Sequence, residues 1–134
     1  MTKYLIAYGA TLLVLLVLDF LWLGLVMREF YKTALAPIMR ERPLIVPALL
    51  FYAVYAVGLT YFAALPGSDA GQWQHALLLG AAFGFFAYFT YDMTNYVTLK
   101  DFPLKVVLVD VAWGLAVSGL AALAGYFAVA AVGR

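Results

Sequence analysis

An all-α bundle of four membrane-crossing helices is predicted by three observations. Of the 134 residues, 67% are hydrophobic and only 11% are charged, with a mean hydropathy of +0.99. An average soluble domain is about 45–50% apolar and about 25% charged, and a soluble globule of this size has no interior large enough for the excess. Four apolar stretches each reach the roughly 20 residues that a helix needs to cross a bilayer. The breaks between them have recognisable polar chemistry. Disorder is excluded, since it requires low hydrophobicity and high charge. The absence of cysteine removes disulfides, iron–sulfur clusters and thiolate zinc sites. A net charge of +1 argues against nucleic acid as a partner.

The first span is placed at Tyr4–Met27. Its apolar stretch is too long for a signal peptide, and Ala34-Leu35-Ala36 lies too far beyond it for a cleavage site, so it is expected to be retained. Residues 28–42 follow, with six charges, Pro37 and interleaved Phe30, Tyr31, Leu35, Ile38 and Met39. This composition predicts an amphipathic connection lying in the headgroup zone, either as an ordinary loop or as a lid over the bundle mouth. The second span is placed at Leu44–Ala64, with Pro66-Gly67-Ser68-Asp69 as the turn that ends it. The third runs Trp73–Thr98, with Trp73 anchoring at the interface beside Gln72, Gln74 and His75. Lys100-Asp101-Phe102-Pro103 breaks the chain before the fourth span, Leu104–Val132, which Pro103 is suited to open. The domain is then a single transmembrane unit, 1–134.

Orientation follows from Lys and Arg. Arg28, Lys32, Arg40, Arg42, Lys100 and Lys105 flank one side, and Lys3 and Arg134 the other. The charged connections are therefore expected in the cytoplasm, with both termini outside.

Three aspartates fall inside spans: Asp19, Asp92 and Asp110. Each costs roughly 2.5–3.5 kcal/mol at a helix centre, so none is expected to face lipid. Their depths agree. Asp19 precedes Arg28 by about 13 Å of helix, Asp92 precedes Lys100 by about 12 Å, and Asp110 follows Lys105 by about 8 Å. No basic residue shares that depth. Three carboxylates meeting in low dielectric cannot all stay ionised, so either a proton or a cation is expected among them.

Helical spacing gives each aspartate an inward face. Gly80, Gly84, Tyr88 and Asp92 recur every four residues on span three, and Gly-x-x-x-Gly lets backbones approach closely. Asp110, Gly114, Ser118, Ala122 and Gly125 form a similar stripe on span four. Tyr4, Tyr8, Leu15, Asp19 and Trp22 share a face of span one. A donor stands three residues after each aspartate: Trp22, Asn95 and Trp113. The candidate ligand- or ion-binding set is therefore Asp19, Trp22, Tyr88, Asp92, Asn95, Asp110 and Trp113. The glycines and alanines of these stripes are read as close packing. Tyr52, Tyr55 and Tyr61 on span two are read first as packing and interface residues, with lining a cavity as the alternative. Pro43-Leu44 and Pro103-Leu104 open spans two and four alike, and spans one and three each carry an aspartate. This pattern hints at two parallel helical-hairpin repeats.

The segments Leu18-Asp19-Phe20-Leu21-Trp22-Leu23-Gly24, Tyr91-Asp92-Met93-Thr94-Asn95-Tyr96 and Val109-Asp110-Val111-Ala112-Trp113-Gly114 resemble the DUF2177 family of small predicted membrane proteins. Pro47-Ala48-Leu49-Leu50-Phe51-Tyr52-Ala53-Val54-Tyr55 is similar to that family's second span. The resemblance covers nearly the whole chain. It implies a multi-pass protein of the bacterial inner membrane and transfers no catalytic role to any residue.

Three functions are weighed. Intramembrane acids mark ion and substrate pathways, which puts proton- or cation-linked binding or transport of an ion or small molecule first. Oxygen ligands of this kind suit a hard cation, and no other cofactor is predicted. A membrane-embedded enzyme or accessory protein acting on a lipid or isoprenoid is second, since paired carboxyls serve as acid and base. It is weakened by the absence of Cys and by the remoteness of His75, the lone histidine. Structural glue is third, because interhelical polar contacts contribute only about 0.6 kcal/mol. The bilayer is the expected partner. A homo-oligomer is expected if four spans are to enclose a pathway.

Overall fold

Hydrocarbon offers no water to backbone N–H and C=O groups, so a spanning segment must satisfy them within itself. The computed structural model describes residues 1–133 and meets that demand with helices. Arg134, counted above on the outer side, lies outside the described residues. The helices are α1 (Thr2–Val26), α2 (Arg28–Ala34), α3 (Ile45–Ala70), α4 (Trp73–Thr98) and α5 (Leu104–Val132). All but α2 are long and apolar enough to cross a membrane. Among the described residues there is no strand, and the all-α class with four candidate spans is borne out.

Two spans contain a widened, π-helical turn: Trp22–Val26 ends α1, and Thr60–Ala64 interrupts α3. The second corrects an expectation. Rather than stopping at Ala64 with a turn at Pro66–Asp69, the helix runs on to Ala70. A proline ring normally clashes with the carbonyl four residues earlier. Here the widened turn lies directly ahead of Pro66 and opens that spacing. The helix ends instead at Gly71, whose φ of 69° is left-handed backbone that glycine adopts without penalty. Gly67 is buried against Ala76 of α4, too close for a side chain, so the α3–α4 hairpin is tight at this end. Lys3 pairs with Asp69 across the same end at 2.5 Å, on a surface where an ion pair contributes little.

Small and polar residues face inward, and large apolar ones face outward. Ala7, Thr11, Leu15 and Asp19 are buried on α1, Gly80, Gly84 and Asp92 on α4, and Gly114, Ser118, Ala122 and Gly125 on α5. The outward residues include Leu13, Phe20, Leu78, Phe86, Leu108 and Leu120. Lipid supplies no hydrophobic drive between helices, so close backbone contact does the packing instead. Tyr4, assigned above to the inward face of α1, is 56% exposed, because the buried series starts at Ala7. The stripes of α4 and α5 pack against each other. A Cβ on Gly80 would meet Ala122 and the Ser118 carbonyl at 2.7 Å.

Helix α5 is central, packed along α4 and α1. Helix α3 behaves differently at its two ends. Its Thr60–Ala70 part packs on α4, whereas its Ile45–Leu59 part leans on α1 and scarcely touches α4. The charged connections lie at that open end. Helix α2 tucks beneath it. Tyr31 is buried with Phe102, Val106 and Val107.

Candidate functional site

The splay of α3 from α4 leaves a cleft of about 320 Å³ among four helices. Asp19, Tyr52, Tyr88 and Asp110 line it, and Phe51 and Tyr91 stand half exposed at its rim.

Asp19 is 4% exposed and has a donor on each oxygen. The Tyr52 hydroxyl donates to Oδ2 at 2.7 Å, and the Trp113 indole N–H donates to Oδ1 at 2.6 Å. Three spans are thereby tied at one carboxylate. Asp110 accepts a bond from the Tyr31 hydroxyl at 3.0 Å. That hydroxyl in turn accepts one from Trp22 Nε1 at 3.1 Å. The Trp22 and Trp113 rings stack 4.3 Å apart and nearly parallel. Tyr55 shares a buried bond of 2.7 Å with Ser118, and either hydroxyl can donate. The Tyr88 ring lies flat against the space a side chain at Gly114 would take.

Asp92 is the exception. It is completely buried, and among the described residues the one polar group that reaches its oxygens is another carboxyl, that of Asp110. A buried polar group needs a partner, and with no N–H or hydroxyl aimed at Asp92 the two carboxyls can bond only by sharing a proton.

The structure thus brings together Asp19, Trp22, Tyr88, Asp92, Asp110 and Trp113. The three-residue offset does not work as expected. Trp22 donates to Tyr31 and Trp113 to Asp19, each across to another element rather than back to the aspartate three positions earlier. The indole N–H lies at the far end of a long side chain and overshoots its own helix face. Asn95 makes no bond to Asp92. Nearby Thr94 is spent on its own helix, donating to the Thr90 carbonyl at 2.6 Å. Tyr52 and Tyr55, first read as packing, are polar partners in the site, whereas Tyr61 is 65% exposed. Tyr31 joins the site from the amphipathic connection, where the sequence marks it only as one of several interleaved apolar residues. Its only signal was an aromatic residue between Arg28 and Lys32. Among the described residues, no three acidic or imidazole side chains converge as a metal-binding group. A hard cation here would have two facing carboxyls and tyrosine hydroxyls, not a full carboxylate cage.

Tyr31 lies outside the spans. Burial first, and then the neighbouring carboxyl of Asp110, push its phenol above the ordinary value of 10.0. It therefore remains a donor over the working pH range. Its contribution to stability is level below pH 10 and falls as pH rises past that value, where the unfolded chain sheds the proton first. Tyr31→Phe removes both bonds of the bridge. It is expected to cost about 1–3 kcal/mol and to speed tryptic cleavage after Lys32, measured by limited proteolysis against the parent.

Four apolar helices closed around buried acidic and phenolic groups define a polytopic membrane protein with a polar intramembrane site. The chain belongs to the DUF2177 family, whose model, described as a predicted membrane protein, matches residues 4–127. No curated protein and no solved structure matches it.

Proposed function

We propose that this protein sits in the bacterial inner membrane, with its charged connections in the cytoplasm, and binds and moves an ion or small cation in exchange for a proton. The observation that carries the reading is the buried Asp92 carboxyl, whose one polar neighbour is the carboxyl of Asp110. Ionising both without compensation is prohibitive in low dielectric. The pair holds either a proton or a cation, and the entry of one expels the other. Asp19, with a donor on each oxygen, is already satisfied and forms a polar part of the wall. The cleft admits the cation from the side, between α3 and α4, where aromatic faces of Tyr52, Tyr88 and Tyr91 also suit an organic ammonium.

A second reading is favoured by one feature, the splay of α3 from α4 beside the half-exposed Phe51 and Tyr91, a gap that would admit a lipid chain. On that reading the site acts on a lipid or isoprenoid with Asp92 and Asp110 as proton donor and acceptor. A lipid profile with and without the protein separates the two readings. A product lost equally in Asp110→Asn favours catalysis.

The test of transport is a liposome assay with a trapped pH dye and an imposed sodium, potassium or ethylammonium gradient. The parent is expected to move protons against at least one gradient. Asp92→Asn, which keeps the shape and removes the exchangeable proton, is expected to fall to the level of empty liposomes while still folded in detergent. An unchanged flux in Asp92→Asn, or none in the parent, overturns the proposal.

A further inference from the structure

A second and larger cavity lies beside the acidic cleft, and the transport reading makes no use of it. Its volume is about 880 Å³, within the range of pockets that hold whole small molecules. Arg28, Lys32 and Arg40 line it, against one acid, Glu41. The apolar part of its wall comes from Ala36, Met39 and Pro43 of the connection together with Leu23, near the end of α1, and Leu44, which leads into α3. None of the three cations is spent within the protein. Among the described residues the one ion pair is Lys3–Asp69, at the opposite end of the bundle.

We propose that this cavity binds the phosphate headgroup of an anionic phospholipid. Guanidinium forks match phosphate oxygens, and three unpaired cations against one carboxylate leave the cavity with a net positive charge to be met. The apolar wall decides between a lipid and a free phosphate. Leu23 and Leu44 belong to the ends of two spans, where acyl chains begin, and a soluble anion has no use for them. The net charge also selects among lipids, because the choline of a zwitterionic headgroup would be repelled. Tyr31 shares this wall and bonds to Asp110, so the bound headgroup lies one side chain away from the acidic pair.

The experiment is native mass spectrometry of the full chain in detergent, titrated with phosphatidylglycerol, phosphatidylcholine and glycerol phosphate. Phosphatidylglycerol is expected to bind, and the other two only weakly. Arg28→Gln, Lys32→Gln and Arg40→Gln are each expected to weaken it about fivefold, the worth of one basic residue at a membrane surface. Arg42→Gln, in the same segment but not in the cavity wall, is expected to leave binding unchanged. Arg28→Lys and Arg40→Lys keep the charge but lose the fork, and are expected to bind between the parent and the glutamine variants. The proposal is overturned by equal binding of phosphatidylcholine, by glycerol phosphate binding as tightly as the lipid, or by an equal loss in Arg42→Gln. The last would mean diffuse attraction to a basic surface. No flux is read, so this result and that of the transport assay stand or fall separately.

Discussion

The double variant Tyr52→Phe/Trp113→Phe is expected to lose about 3–5 kcal/mol of stability, the usual cost of stripping a buried charge of its partners. Both oxygens of Asp19 are then bare at 4% exposure, in a chain with no basic residue at that depth. Each single change removes one bond to a charged acceptor and is expected to cost about 1.5–3 kcal/mol. Trp113→Phe also shrinks the ring stacked on Trp22, so it is expected to be the worse of the two. Adding Asp19→Asn to the double variant removes the charge that needed donors and is expected to restore part of the loss. The measurement is unfolding in mixed micelles with increasing denaturing detergent. A double variant within about 0.5 kcal/mol of the parent, the range of an indifferent surface change, would show that these bonds do not hold the spans together.

The fold was legible because a bilayer leaves little choice. Length, hydropathy and the breaks at residues 28–42, Pro66–Asp69 and Lys100–Pro103 mark four helices, since hydrocarbon forces every crossing segment to be one. The exception was Pro66. Read as a stop, it is carried inside a helix by the widened turn at Thr60–Ala64, and no residue pattern announces such a turn. The inward stripes of α4 and α5 were legible for a related reason. Gly80, Gly84 and Gly114 have no purpose on a lipid face, and the cost of an aspartate there placed Asp92 and Asp110 inside.

The partners of those aspartates were not legible. Periodicity says which face a residue is on, and nothing about which neighbouring helix supplies a donor. Trp113 serves Asp19 on a helix 94 positions earlier, and Tyr52 reaches the same carboxylate from a span that carries no acid of its own. Tyr31 was hidden by its setting. A tyrosine among arginine and lysine reads as a solvated or interfacial residue, and only the packing of α2 against Phe102 and Val106 turns it inward. The same packing joins two regions that look independent in the sequence, a basic connection and an acidic cluster, through one hydroxyl.

Gly84 is the position where a single methyl group should do most harm. A Cβ there runs into the Gly114 carbonyl and the Ser118 side chain, and the first of these is backbone, which has no rotamer to escape into. Helices α4 and α5 must part or slide. Gly84→Ala is expected to cost about 1–3 kcal/mol, as overpacking does, and Gly84→Val more. The consequence reaches the site. Asp92 lies two turns along α4 from Gly84, about 12 Å, and faces Asp110 across the same pair of packed helices. Ser118, which the new methyl displaces, is also the partner of Tyr55 in the cleft wall. The variant is therefore expected to lose gradient-driven proton movement along with stability, whereas Ala82→Val, the same kind of enlargement on the exposed face of α4, should change neither. Unfolding and flux measured on both variants decide the matter. If Gly84→Val keeps its stability but loses flux, the two helices yield without unfolding and their spacing serves the site alone. If it keeps both, the contact at Gly84 is not what holds Asp92 against Asp110.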